Sequence, residues 1–464
     1  TWTNFNKSLK GLPLASWIPQ IHVSEKNEGA AWVVANNYRR NDYSAYTYHT
    51  TDFGKTWERI ADDTQIKGFV LSIVQDHKEP NLMFLGTDVG LYVSFDKGKK
   101  WHHWNKGFPQ VQVNDMKIHP VEDDLVLGTF GRAFWILDDI NPLRELAAKG
   151  ENILGSDFDV LESASGYLVT YRSYDGVRFS GQGEFKGDSR AYDRIAFNVW
   201  KKPADKSKSE SGKEDKKEGE DKGSKAKVSI YDMSGKMVRN FKRKVEDGMN
   251  RISWGLETNG MRFPSRNEPK EDDDAPGGYS VLPGKYKAVF ELNGKKDSVV
   301  VEVKIDPRSG TTVNDMEDIR KMQDEHSLLI KDAKSAFDKI TGAKKSIGIV
   351  EKLLENQPDS IKKSFKEIHK KLNSKLDSLS NLFIEPENVK GIQRNPDQLS
   401  SVIFGALNYI RSSWSAPKGN ALLALEKAKI MTGKAVTSVE TFVSNEWKVY
   451  QEKVKGLEVK IFKE

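Results

Sequence analysis

A chain of 464 residues has room for about two to four separate cores, and 37% apolar residues with a mean hydropathy of −0.63 make it polar for that length. Its 73 basic and 67 acidic groups nearly cancel to +6, and no basic face interleaved with aromatics appears, so a nucleic-acid partner is not expected; no apolar run approaches the length of a membrane span. The lack of any cysteine excludes disulfides and thiolate metal sites.

In chain order, the first informative feature is a repeat. Thr50, Asp52, Gly54, Thr56 and Trp57 return as Ser94, Asp96, Gly98, Lys100 and Trp101, and Thr1-Trp2 matches the tail of a third copy. The tryptophans lie 55 and 44 residues apart, near the length of a four-stranded propeller blade. Each copy follows alternating β-formers, Tyr46–Thr50 and Leu91–Ser94, which predicts a hairpin turn. In that turn Asp52 and Asp96 accept from backbone N–H groups, Gly54 and Gly98 supply a positive φ, and Trp57 and Trp101 fill the gap between sheets. A fourth, decayed unit spans Val113 to Asp139, where Gly128, Thr129, Phe134 and Asp138 repeat Gly86, Thr87, Tyr92 and Asp96 at an offset of 42, without the tryptophan. So few blades cannot close a ring, which leaves open sheet edges. The missing blades are therefore expected upstream or from another polypeptide, with this chain a fragment or a processed product.

These turns, with Gly86–Ser94 and Gly128–Asp139, resemble the Asp-box (BNR) repeats of sortilin-like and sialidase-like β-propellers. The likeness is to the C-terminal portion of the large bacterial secreted proteins labelled "glycosyl hydrolase". It implies a partial propeller, a small immunoglobulin-like β-sandwich and a helical tail, in a protein that is extracellular or attached to the cell envelope. In such relatives a histidine commonly stands where this chain has Phe130.

After residue 145 the pattern stays β-like. Strands are expected at Tyr167–Tyr171, Arg194–Trp200, Val228–Tyr231, Met237–Phe241, Asn250–Trp254, Gly284–Leu292 and Ser298–Ile305, within a sandwich covering 146–308. Residues 202–227 carry almost nothing apolar and cannot offset their own ordering entropy, so a disordered surface loop is expected there. From 309 to 464 the period changes to about 3.6 residues. Stripes through Met316–Ile340, Ile361–Leu379, Leu399–Tyr409 and Leu422–Tyr450 predict an antiparallel bundle of three long helices and one short one.

Candidate binding groups cluster at the blade turns opposite the repeated ones: Arg39, Arg40, Asp42 and Tyr43, then Asp88, then Arg132. Guanidinium forks clamp carboxylates or phosphates, and tyrosines stack on sugars or peptide side chains. The bland alternative is that Asp42 and Arg39 only satisfy their own loop. A sialidase-like enzyme would need an arginine cluster, a tyrosine nucleophile with its glutamate and an acidic donor; a two-carboxylate glycosidase would need acid and base about 5 to 10 Å apart. No catalytic residue can be assigned on that basis. His22, His49, His102, His103 and His119 lack a metal-ligand spacing, so neither metal nor cofactor is expected. The reading is a mainly β then α multidomain protein that binds a peptide, glycan or partner protein at its propeller rim, with an exo-acting glycoside hydrolase as the alternative.

Overall fold

The computed structural model describes residues 4–150, 155–169, 193–203, 224–270, 272–355, 357–386, 395–412 and 415–457. Trp2 and most of the charged segment at 202–227 lie outside the described residues, as does the end of the strand expected at Tyr167–Tyr171. The chain is mostly antiparallel β-sheet followed by a C-terminal helical region, and its contacts divide it into two units. One comprises residues 1–235, 242–255 and 285–302; the other comprises 236–241, 256–284 and 303–464.

The first unit begins with three consecutive meanders. Strands β1 (Trp17–Val23), β2 (Ala31–Asn37), β3 (Asp42–Thr50) and β4 (Glu58–Ala61) form one sheet in sequence order. Strands β5 (Val70–Gln75), β6 (Met83–Thr87), β7 (Gly90–Ser94) and β8 (His102–Trp104) form the second, and β9 (Val113–Ile118), β10 (Leu125–Thr129) and β11 (Phe134–Leu137) the third. Register pairs such as Val34↔Thr47 and Leu85↔Tyr92 place one face of each strand toward the next sheet.

Two apolar cores result. Trp32, Val34 and Ala45 of the first sheet meet Ile73, Met83, Leu85 and Tyr92 of the second. Phe84, Leu91 and Val93, on the opposite face of the second sheet, meet Val113, Met116, Leu125 and Leu127 of the third. The inner strands approach closely at Gly86, where a Cβ would stand 2.7 Å from the Val113 carbonyl oxygen, so only glycine fits.

Helix α1 (Asn141–Lys149) follows the third sheet directly, with Pro142 in its first turn. Its Arg144 is buried and binds Asp76 through Nη2 at 2.7 Å and Nε at 3.0 Å, and Asp123 through Nη1 at 2.7 Å. Lys78 completes the set on Asp123 at 2.7 Å. Burial pushes the Asp123 carboxyl up, and the bonds from Lys78 and Arg144 outweigh that and hold it below its ordinary range.

The rest of this unit is two facing sheets. In one, β12 (Phe158–Leu161) and β17 (Gly248–Trp254) flank β14 (Ile195–Lys201). In the other, β13 (Gly166–Leu168), β21 (Lys295–Ile305), β20 (Gly284–Leu292) and β15 (Lys225–Asp232) follow in that order. Phe197 meets Phe290 edge-on at 5.2 Å and Trp254 meets Tyr286 at 5.4 Å between them. A turn at Gly235, with φ 86°, leads into β16 (Met237–Lys244).

The second unit holds a short hairpin of β18 (Glu257–Asn259) and β19 (Gly277–Ser280), and the helices. These are α2 (Val313–Leu354), α3 (Asp359–Phe383), α4 (Leu399–Arg411) and α5 (Asn420–Phe442). A capping box of Thr312 and Asp315 starts α2, and Pro358 fixes the start of α3. Their apolar stripes share one core that includes Phe337, Ile340, Leu376, Phe383, Ile403 and Val439. The last expected helix is not one regular rod: a π-turn at Val443–Trp447 separates α5 from α6 (Lys448–Lys455). Among the described residues no helix is long and apolar enough to cross a membrane.

Candidate functional site

The two repeated turns share the same backbone frame. Thr56 N donates to Asp52 Oδ1 and Lys100 N donates to Asp96 Oδ1, both at 2.9 Å. Gly54 and Gly98 stand at φ 82° and 83°, a region open to them because they lack a Cβ. The preceding hydroxyls do more than the sequence suggests. Thr50 Oγ1 accepts from Gly54 N at 3.0 Å and donates to Asp52 at 2.9 Å, and Ser94 Oγ repeats both bonds at 2.8 Å. The aspartate and hydroxyl of each turn are thus engaged within the turn itself.

Hydrogen bonds from the Thr56 backbone and side chain hold the Asp52 carboxyl at about 2. A lowered carboxylate contributes stability that is present above its unfolded value of 3.8 and is lost as pH falls through about 2. Carboxyl carbon NMR should therefore show Asp52 titrating well below ordinary aspartates, and Thr56→Val should move it back toward 3.8.

At the opposite strand ends the predicted binding residues divide into those that face outward and those already engaged. Asp42 faces inward. It accepts from Ser44 N at 3.1 Å, Asn37 Nδ2 at 3.2 Å and the Tyr46 hydroxyl at 3.0 Å. Burial pushes its carboxyl up, but these bonds prevail and keep it below its usual range. Arg40 Nη1 donates to the Ala15 carbonyl at 2.6 Å, and the Arg39 guanidinium lies over the Trp17 ring at 4.8 Å. Tyr43 and Phe130 are exposed. Arg132 lies in the β10–β11 turn, where its carbonyl accepts from Trp135 Nε1 at 3.1 Å.

Phe69, which sequence reasoning passed over, joins two of these turns. Its ring stacks on Tyr38 at 4.5 Å with Tyr43 at 6.1 Å, and its carbonyl accepts from Asp88 N at 3.2 Å. The structure thereby brings the Tyr38–Tyr43 turn and Asp88 together. Asp88 Oδ1 is buried with no hydrogen-bond partner, and burial raises that carboxyl against the pull of the Asp88 and Phe69 N–H groups. A second concavity escaped the sequence altogether, because it joins an outer strand to a helix. This cleft of about 530 Å³ is lined by Phe95, His102, Trp104, Asn105, Lys106 and Leu146, among others.

No family model matches the chain, and no curated protein matches it. Among solved structures it is similar to parts of three GH74 enzymes. The Niastella koreensis GH74 enzyme is 15% identical with a TM-score of 0.24, over 26% of this chain and 21% of that one. The GH74 xyloglucanase from Xanthomonas campestris is 13% identical with a TM-score of 0.23, over 64% and 39%. An ancestral GH74 enzyme is 10% identical with a TM-score of 0.19, over 50% and 28%. The chain therefore spans 21%, 39% and 28% of the length of these three structures.

The strand histidines are engaged in packing and local hydrogen bonds. His49 stacks on Trp32 at 4.8 Å, His103 lies 4.8 Å from Tyr92, His22 Nε2 accepts from Gln75 N at 3.3 Å, and His119 Nδ1 accepts from Glu122 N at 3.0 Å. Among the described residues no group of three or more potential ligands could hold a metal ion.

Proposed function

We propose that the three stacked sheets are blades of a β-propeller, that the facing sheets form an immunoglobulin-like sandwich, and that the protein binds a peptide, glycan or partner protein at the rim rather than turning it over. Secretion or attachment to the cell envelope belongs to the same reading. One observation carries it: at the rim the rings of Tyr43 and Phe130 stand in solvent while the Asp42 carboxylate is spent on its own loop. Exposed rings supply stacking surface at little entropic cost, whereas a hydrolase needs carboxylates free to exchange protons. Glycan and peptide arrays probed with the whole protein test this. Retention on a defined ligand class, weakened about tenfold or more by Tyr43→Ala or Phe130→Ala, is the expected result. Loss through Trp104→Ala alone would move the site to the cleft lined by that residue.

Asp88 favours a second reading, a glycoside hydrolase with this carboxyl as proton donor, because its raised pKa and unpartnered oxygen suit a general acid. Turnover of a chromogenic glycoside that Asp88→Asn abolishes would put hydrolysis first.

A further inference from the structure

Within the second unit, the short hairpin of β18 and β19 is fastened to the helices at three successive residues. The Gly278 carbonyl accepts from Arg411 Nη2 of α4 at 2.9 Å, and the Ser280 carbonyl accepts from Arg320 Nη1 of α2 at 3.2 Å. Between them the buried Tyr279 reaches inward, and its hydroxyl meets Nδ1 of His326 on α2. His326 is fully buried, and its other ring nitrogen, Nε2, lies 2.7 Å from the Ile403 carbonyl oxygen of α4. One imidazole therefore ties the hairpin to the seam between two helices.

The partners fix where the hydrogens lie. A carbonyl oxygen only accepts, so Nε2 of His326 carries a hydrogen and donates it to Ile403. In the neutral ring Nδ1 is then bare, and the Tyr279 hydroxyl donates to it. Burial pushes that hydroxyl up to about 12, so it keeps its hydrogen at any physiological pH. Each group of the chain is satisfied only while the imidazole is neutral.

A proton added at Nδ1 would face the hydrogen that Tyr279 already points there. It would also place a cation where no neighbour offsets it. From α4 the group bearing on His326 is the Arg411 guanidinium, of the same sign, which also lies 5.5 Å over the Tyr279 ring. On α2 itself, Arg320 and Asp324 lie near the tyrosine and are paired with each other at 3.3 Å. From α5, Lys429, with Glu426 beside it, is paired with Glu325 at 2.7 Å. Burial accordingly holds the His326 ring below its ordinary value. His369 of α3, by contrast, has the Glu351 carboxylate 3.2 Å from its Nδ1, so a proton there meets a counter-ion.

We propose that Tyr279 and His326 form an acid-released latch: the hairpin of β18 and β19 is held in the seam between α2 and α4 at neutral pH, and uptake of one solvent proton by His326 lets it go. The sign follows from linkage. The undocked ring takes its proton at about 6.5 and the docked ring resists it, so docking is at full strength above 6.5 and weakens as pH falls below. The device is independent of any rim ligand.

Hydrogen exchange on the whole protein tests this, read at residues 256–260 and 277–284 against the middle of α2. His326→Gln is the control, because an amide keeps one donor and one acceptor and does not titrate. Relative to that variant at the same pH, hairpin protection in the natural chain should fall by about tenfold per pH unit below 6.5, ahead of α2. Nitrogen NMR of the natural chain supplies a second measurement that needs no variant. It should show the hydrogen on Nε2 of His326 and no titration of that ring at 6.5, whether or not the glutamine variant folds. Equal protection of the natural chain and His326→Gln at pH 5 and 7 would overturn the latch. So would loss of the hairpin and α2 together, or a His326 ring that titrates at or above 6.5.

Discussion

Replacing Arg144 with methionine is expected to destabilise the first unit by about 3–5 kcal/mol. The guanidinium is the shared counter-ion of two carboxylates, Asp76 and Asp123, and Asp76 is fully buried. The Lys78 ammonium is bonded to Asp123, and the Asp76 carboxylate would retain the backbone N–H groups of Lys78 and Glu79 at 2.9 and 2.6 Å. An uncompensated charge inside the fold costs far more than the pair contributes, and methionine keeps most of the stem's packing while removing the cation. Urea unfolding followed by tryptophan fluorescence measures the loss. The companion Asp76→Asn should cost less, because it removes the buried charge together with its partner's need for it. A loss under 1 kcal/mol in Arg144→Met would show that water reaches Asp76 and that the network is a surface feature.

Trp101→Ala is expected to cost about 3–5 kcal/mol, against a markedly smaller loss for Trp57→Ala. The two residues are equivalent in the repeat and differ in what surrounds them. Trp101 is buried between the first and second sheets, among Trp32, Ile66, Met83 and Tyr92, and its Nε1 is tied to Ile60. Trp57 is half-buried, rests on Phe5 and bonds only its own turn, at the Gly54 carbonyl. Comparing the two unfolding midpoints therefore measures what a neighbouring sheet adds to the same motif. Equal losses would mean that the indole's value lies in the hairpin and not in stacking one sheet on the next.

Those turns were legible because each repeats one chemistry at a fixed offset: an acceptor for Thr56 N or Lys100 N, and a glycine at φ near 82°. The start of α3 after Pro358 was legible for a similar reason, since proline acts on its own neighbours. Arg144 was not. A lone arginine in a short amphipathic helix carries no local mark of the two aspartates it meets, which lie 68 and 21 residues earlier. At the candidate site the turns were located, but the direction of each side chain was not. Asp42 belongs in sequence to the same cluster as Tyr43, yet strand alternation sends one inward and the other to solvent. Phe69 bears no motif, and its role follows only from where two loops meet.

Helix α1 also decides where this polypeptide can be cut. Just before it, Asp139 accepts from Ala164 N at 3.2 Å and Asn198 Nδ2 at 3.3 Å, while its Arg144 holds the strands on the other side. A fragment ending at residue 139 would strand both aspartates, and one ending at 145 would remove the last turn with its buried Ala147. Nine residues that look like a connector between modules are thus a shared rivet, and an expressible piece of the meander stack must run through Lys149.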